Sequence, residues 1–150
     1  MKKNIKNTVV VIAIIFIVGC FGSCESGSEV IVIGEKMFIS QINDVYLNID
    51  DYYEKTIKYE GIFKTQESYT QDEPYCFVIR FGPGCCGYDG TVGFEVAWAD
   101  GKAVPYPAVD SWVEATGVVR VYQEDLYEYI YLDLISLTVL DKRGAEFVQQ

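Results

Sequence analysis

The densest group of chemically reactive side chains lies in one short stretch between two apolar segments. It reads Arg80-Phe81-Gly82-Pro83-Gly84-Cys85-Cys86-Gly87-Tyr88-Asp89. Thiolates bind zinc or copper(I), and a carboxylate can add a further zinc ligand. Adjacent residues of a regular strand point to opposite faces, but the flanking glycines permit a turn in which both thiols converge. The stretch therefore predicts a soft-metal site formed by Cys85, Cys86 and Asp89, with Cys76 as a further ligand if its strand runs beside the loop.

The same cysteines allow two other chemical interpretations, and a further alternative is that they simply pack in the core. An exported protein meets oxidising surroundings, so Cys76 could form a structural disulfide with Cys85 or Cys86. A vicinal Cys85–Cys86 bridge would be strained, because adjacent Cα atoms lie about 3.8 Å apart. The third interpretation is a redox or nucleophilic thiol whose pKa Arg80 would lower. Arg80 itself is expected at the surface, paired with an acid such as Asp89, or else orienting that acid beside the cysteines.

Composition narrows the chemistry further. The sequence contains no histidine, which excludes Ser-His and Cys-His nucleophile activation and imidazole zinc ligands. The formal charge is −10, and without residues 1–19 it is −13, because three of the 12 basic residues and none of the 22 acidic ones lie there. This charge repels phosphate backbones, so we expect no nucleic-acid binding. We expect a binding protein and not an enzyme.

The start of the chain has the pattern of an export and anchoring signal. Three lysines precede an apolar segment, residues 8–18, which is too short to span a bilayer. The following Ile17-Val18-Gly19-Cys20 resembles the lipobox of bacterial lipoproteins, in which the cysteine is acylated and then becomes the first residue after cleavage. We therefore expect lipid on Cys20, with Cys24 as the alternative.

This interpretation divides the chain into four parts. Residues 1–19 would be the signal peptide, and residues 20–29 the lipidated cysteine with a flexible tether. Residues 30–141 would form one domain, and residues 142–150 a frayed tail with little to bury. The mature protein would then lie on the extracytoplasmic face of the cell membrane, held by its lipid.

The periodicity of apolar residues predicts a mainly β domain. A helical pattern covers Glu35–Leu47, after a short apolar run at 30–33. Five strands follow, several of them with an internal glycine that favours sharp curvature. They cover residues 56–64, 75–81, 92–98, 112–122 and 129–140. Their number and length fit a small five-stranded OB-like barrel with a preceding N-terminal helix, and a plain meander or sandwich is the alternative.

Several sequence features also occur together in one known family. They are Ile42-Asn43-Asp44-Val45-Tyr46, Lys55-Thr56-Ile57, Glu60-Gly61, Phe77-Val78-Ile79-Arg80-Phe81, Cys85-Cys86, Asp89, Gly93-Phe94, Trp112-Val113 and Thr116-Gly117. On these residues the chain resembles the soluble domain of the YcgQ-like permease-subunit family over roughly residues 35–140. Members are generally membrane proteins whose partner gene encodes a permease, so the resemblance implies a membrane transport partner. The chain departs from the family in its lipoprotein leader and in Gly82-Pro83-Gly84.

One acidic cluster lies where OB barrels often bind ligands. Glu124, Asp125 and Glu128 fall between the last two strands, without the spacing of a calcium loop, so we expect a solvated turn. The whole sequence predicts a lipid-anchored binding module that binds zinc or copper or docks on a membrane partner. The alternatives are a thiol redox protein and a purely structural lipoprotein whose barrel is held by a disulfide.

Overall fold

Alternating apolar residues organise just over half of the described residues into strands, as predicted. The computed structural model describes residues 29–68, 73–85, 87–99 and 104–149. These residues are mainly β, with two short helices and six strands. The elements are β1 (Ile31–Ile33), α1 (Phe38–Leu47), α2 (Ile49–Tyr52), β2 (Thr56–Gln66), β3 (Tyr75–Gly84), β4 (Gly87–Trp98), β5 (Trp112–Glu124) and β6 (Tyr127–Val139). Each of the five predicted strands is present and longer than predicted.

Predictions about the leader concern residues outside those described. The signal peptide, the lipid on Cys20 or Cys24 and almost all of the tether fall in this group. Within the described ranges, no helix is long and apolar enough to cross a membrane.

The six strands form one mixed sheet in the order β1-β2-β3-β4-β6-β5. Strand β2 also pairs with β5, so the pairings lead from β2 through β3, β4, β6 and β5 back to β2. The β1–β2 and β4–β6 pairs are parallel, and the others are antiparallel. This arrangement brings the start of β3, the end of β4 and the β5–β6 hairpin together, and these segments form the larger of the two cavities described below.

The core is built from one face of each strand and one face of α1. Helix α1 buries Phe38, Ile39, Ile42 and Val45 against it, much the face that its 3.6-residue period predicts. Strands β4 and β6 contribute residues that are almost completely inaccessible to solvent, namely Phe94, Val96, Leu132 and Leu134. Their neighbours along each strand point outward, which places polar side chains on the outer surface of the same strands.

The predicted glycine-rich loop is mostly strand. Gly82 pairs with Gly90 and Gly84 with Gly87, so β3 and β4 form a hairpin whose turn begins at Cys85. A register shift between Gly82 and Gly84 accommodates the irregular sequence. The expectation of a longer loop is wrong, because small residues on both strands can continue the ladder.

The prediction of a frayed tail after residue 141 is also wrong. The Phe81 N–H donates to the Glu146 carbonyl, and the Val148 N–H donates to the Phe81 carbonyl, both at 2.8 Å. Val148 is 3% exposed, and the ring of Phe147 stacks on that of Phe81 with centroids 5.6 Å apart. The C-terminal segment therefore lies along β3 and adds to the core.

Candidate functional site

Strand β3 separates the cysteines that the sequence analysis grouped together. Cys76 is its second residue and Cys85 follows its last residue, so at about 3.3 Å per residue the two lie about 25–30 Å apart. Cys76 is not in a disulfide. Among the described residues, this separation does not fit a bridge from Cys76 to Cys85 or a metal site that combines Cys76 with Cys85 and Asp89.

The hairpin does bring Cys85 and Asp89 together. The Cys85 thiol donates to Asp89 Oδ2 at 3.7 Å, in an exposed position. Gly84 makes this possible, because a Cβ there would lie 2.0 Å from Asp89 Oδ1. Gly87 completes the turn with φ of 122°, a conformation that favours glycine. Cys86 lies outside the described residues, among which no group of three or more Cys, Asp or Glu could hold a metal ion.

Arg80 is not the surface cation that the sequence suggested. It is 2% exposed, and its guanidinium lies between the ring of Phe38, at 4.7 Å, and that of Trp112, at 4.9 Å. Cation–π contacts of this kind strengthen when water is excluded. Arg80 therefore joins β3 to α1 and β5 and does not act beside the cysteines.

Polar groups from three parts of the chain complete the surroundings of Arg80. Its Nε donates to the Glu60 carbonyl at 2.7 Å, and its NH1 donates to the Ala145 carbonyl at 3.2 Å. The same NH1 lies 3.8 Å from Glu35 Oε1, which also accepts from the Ala145 N–H at 2.9 Å. These contacts fix the C-terminal segment to the sheet.

A large cavity lies at the other end of β3, around Cys76. It has a volume of about 940 Å³ and is formed by the start of β3, the end of β4, the segment 104–106 and the β5–β6 hairpin. Its walls are rich in aromatic rings. These are Tyr75, Trp98, Tyr106, Tyr122 and Tyr131. We call this space the tyrosine cavity.

Two tyrosine–glutamate pairs line the tyrosine cavity. The Tyr122 hydroxyl donates to Glu95 Oε2 at 2.8 Å, and the Tyr75 hydroxyl lies 3.0 and 2.9 Å from the two oxygens of Glu124. Burial raises the pKa of the Glu95 carboxyl, the hydrogen bond from Tyr122 lowers it, and the charge of Glu124 raises it further. Glu73 adds a third carboxylate to the lining.

Cys76 closes the floor of the tyrosine cavity. It is 5% exposed, and its thiol donates to the Pro74 carbonyl at 3.8 Å. Burial raises the pKa of Cys76 to about 11, partly offset by a hydrogen bond with the Tyr106 hydroxyl. The same hydroxyl accepts from the Trp98 N–H at 3.3 Å. Because nucleophilic cysteines need a low pKa and accessibility to the substrate, Cys76 is an unreactive part of the cavity lining.

A smaller cavity of about 310 Å³ lies on the other side of Glu95. Tyr46 of α1 lines it together with Phe77, Glu128 and Tyr129. The Tyr46 hydroxyl donates to the Gly93 carbonyl at 3.0 Å, and burial followed by the charge of Glu95 raises the pKa of Tyr46 to about 12. Glu95 therefore stands between two cavities.

A family model, the DUF1980 C-terminal domain, matches residues 23–148. The chain belongs to this family. The family consists of uncharacterised proteins, and no curated protein matches the chain. The matched range includes both ends of β3, so the tyrosine cavity and the cysteine hairpin are both parts of this DUF1980 C-terminal domain.

The tyrosine cavity was not predicted from the sequence, although one sequence feature pointed to it. Glu95 is an acid within the clearest alternating run of the chain, and it pairs in register with Tyr131. The predicted solvated turn describes only part of the acidic cluster: Asp125 is exposed with φ of 55°, whereas Glu124 and Glu128 line cavities. A carboxylate and a tyrosine at outward positions of paired strands indicate such a site.

Proposed function

We propose that the protein is an exported, lipid-anchored binding module whose domain is an OB-like barrel with a small-molecule site in the tyrosine cavity. The run of pairings from β2 back to β2, with β4 parallel to β6, supports the OB-like interpretation. OB folds bind ligands on one face between flanking loops. The tyrosine cavity has that position, between β3, β4 and the β5–β6 hairpin.

The observation that carries the proposal is the composition of this cavity. Its volume of about 940 Å³ is within the usual range for small-molecule sites, which combine apolar walls with a few converging polar groups. Here the tyrosine rings supply the walls, and Glu95 and Glu124 supply the polar groups. Each carboxylate is oriented by a tyrosine hydroxyl, which is the preorganisation that a binding site requires.

A ligand screen with a blocked cavity tests this function. Ala97 lines the cavity from β4, so Ala97→Trp should fill it. The control is Val32→Trp on β1, where the side chain is 61% exposed. We expect at least one compound from a set of sugars, amines, amino acids and nucleosides to raise the melting temperature of the wild type and of V32W, and not of A97W. No shift with any compound, or an equal shift in A97W, would remove the proposal.

The lipid anchor rests on the Ile17–Cys20 lipobox. Two hydrophobic signals or more are needed for stable anchoring, and lipoprotein acylation attaches several chains to one cysteine. We expect Cys20→Ala to release the protein from the membrane fraction without lowering its melting temperature. If C20A stays in that fraction and Cys24→Ala leaves it, Cys24 is the anchor.

A soft-metal site in the cysteine hairpin is the second candidate function. The 3.7 Å contact between Cys85 Sγ and Asp89 Oδ2 favours it, because zinc and copper(I) accept thiolate ligands and zinc also accepts carboxylate. Protein purified under reducing conditions should then contain zinc or copper, and Cys85→Ser should lose it. Metal-free protein that binds neither ion at micromolar concentration would exclude this role. A permease partner, which the YcgQ-like resemblance implies, and a thiol redox role remain predictions.

A further inference from the structure

The charge of the tyrosine cavity is one-sided. Glu73, Glu95 and Glu124 line it, and none of the described lining residues is Lys or Arg. Within the described part of the chain, Glu95 makes no ion pair, and its Oε1 accepts no hydrogen bond while Oε2 accepts one from Tyr122. A half-buried carboxylate without a counter-ion attracts a cation that enters the cavity, and it does so more strongly than an exposed carboxylate because burial lowers the local dielectric constant.

The aromatic walls favour the same kind of ligand. Tyr75, Tyr106, Tyr122 and Tyr131 line this one space, and the rings of Tyr122 and Tyr131 meet edge-on with centroids 5.7 Å apart. Ring faces attract cations, and several rings around one space are the common recognition device for substituted ammonium groups. A neutral ligand would cover Glu95 without compensating its charge, and an anion would be repelled.

We infer that the tyrosine cavity binds an organic cation, an amine or quaternary ammonium compound with an apolar body, and that Glu95 is its counter-ion. The tyrosine rings enclose the apolar body, and Glu124 adds a second negative charge from the β5–β6 hairpin. This inference rests on the proposed binding function, which it narrows to one class of ligand.

A pair of probes that differ only in charge tests the inference. Choline and its neutral isostere 3,3-dimethylbutan-1-ol would be titrated by calorimetry into the full-length protein in a nonionic detergent. We expect choline to bind about tenfold or more tightly than the alcohol, since the charge supplies the cation–π and ion-pair contributions. Equal binding of the two probes would overturn the cationic ligand and leave the proposed binding function standing.

Two matched variants locate the site. Glu95→Gln removes the charge and keeps an acceptor for Tyr122, so choline should bind about tenfold more weakly. Glu54→Gln is the control, because it removes the same charge from an exposed residue paired with Arg120 at 2.9 Å and should leave choline binding unchanged. Equal choline binding by E95Q and wild type, with E95Q folded as judged by a cooperative melting transition, would overturn the role of Glu95.

The same titrations separate failure of this inference from failure of the proposed function. If choline does not bind but a sugar, an amino acid or a nucleoside stabilises the wild type and not A97W, the cavity is a binding site for another class. If neither choline nor any member of the set binds, both the inference and the proposed function are overturned.

Discussion

The two ends of β3 hold the same side chain in opposite surroundings. Near its start, Cys76 is 5% exposed and lies against Tyr106, and burial raises its pKa to about 11. Past its end, Cys85 is exposed in a tight hairpin with Asp89. The difference teaches that a thiol is not reactive merely because it lies beside a cavity. In this protein the tyrosine cavity contains the buried thiol, and the accessible thiol lies at the other end of the strand.

A substitution in the middle of β3 is expected to have the largest effect on stability, because the positions of both ends of the strand depend on it. Arg80→Ala leaves a space between two rings and removes the donor to two backbone carbonyls, which should cost about 3–5 kcal/mol of unfolding free energy. Urea denaturation measures it. Arg120→Ala is the control, since its exposed pair with Glu54 is worth about 1 kcal/mol or less. Equal losses in the two variants would contradict the role of Arg80.

Alkylation rates measure the contrast between the ends directly. With a pKa of about 11, roughly one Cys76 in ten thousand is a thiolate at pH 7, and that thiol is also covered. We expect iodoacetamide to modify Cys85 about 100-fold faster than Cys76 in the folded protein, measured by peptide mass spectrometry. In urea the two rates should converge. Faster labelling of Cys76 in native protein would show that the cavity floor opens.

Replacement of each cysteine by alanine should show the same contrast between the two ends of β3 in stability. Cys76→Ala leaves a small hole in the core and should cost about 1–2 kcal/mol, whereas Cys85→Ala at an exposed turn should change stability by about 0.5 kcal/mol or less. Melting curves of the two variants suffice. A larger loss for C85A would indicate that the hairpin is held by a metal or another link, which would reverse the comparison.

The smallest expected effect is the pH dependence that Glu95 contributes. The pKa of Glu95 is raised in the folded state, so the folded protein binds a proton on Glu95 more tightly than the unfolded chain does. The stability gained from this protonation is fully present below the ordinary glutamate pKa and is lost as pH rises through the raised pKa. Burial raises the pKa of Glu95, the hydrogen bond from Tyr122 lowers it, and the charge of Glu124 raises it further, while Tyr46 also faces the group. E95Q should therefore match wild type in acid and gain melting temperature relative to it towards neutral pH. Parallel curves would refute this assignment.

The strand pattern could be predicted because it is local. The run from Val92 to Trp98 alternates apolar and other residues, and β4 contains it in full. The environment of Arg80 could not be predicted, because its partners Phe38, Trp112 and Ala145 come from three distant segments. The same holds for the tail, where apolar Phe147 and Val148 look too few to pack until β3 is beside them.

One part of the candidate site could be predicted from the sequence and the other part could not, for the same reason. Cys85 and Asp89 are four residues apart, so their contact follows from turn chemistry. The tyrosine cavity joins positions 75, 95, 106 and 122, and only the sheet order brings them together. Short sequence separation therefore favoured the hairpin as the candidate site, and the large separations between the cavity residues left the cavity unpredicted.

The C-terminal segment also constrains when the domain can fold. The bond from Arg80 to the Ala145 carbonyl closes a loop of 65 residues, and such distant contacts form late because they require loop closure first. During synthesis, β3 has no permanent neighbour on that side until the residues around Val148 have left the ribosome. A nascent chain would thus lack the contacts that Arg80 and Phe81 make with this segment until its last residues are synthesised.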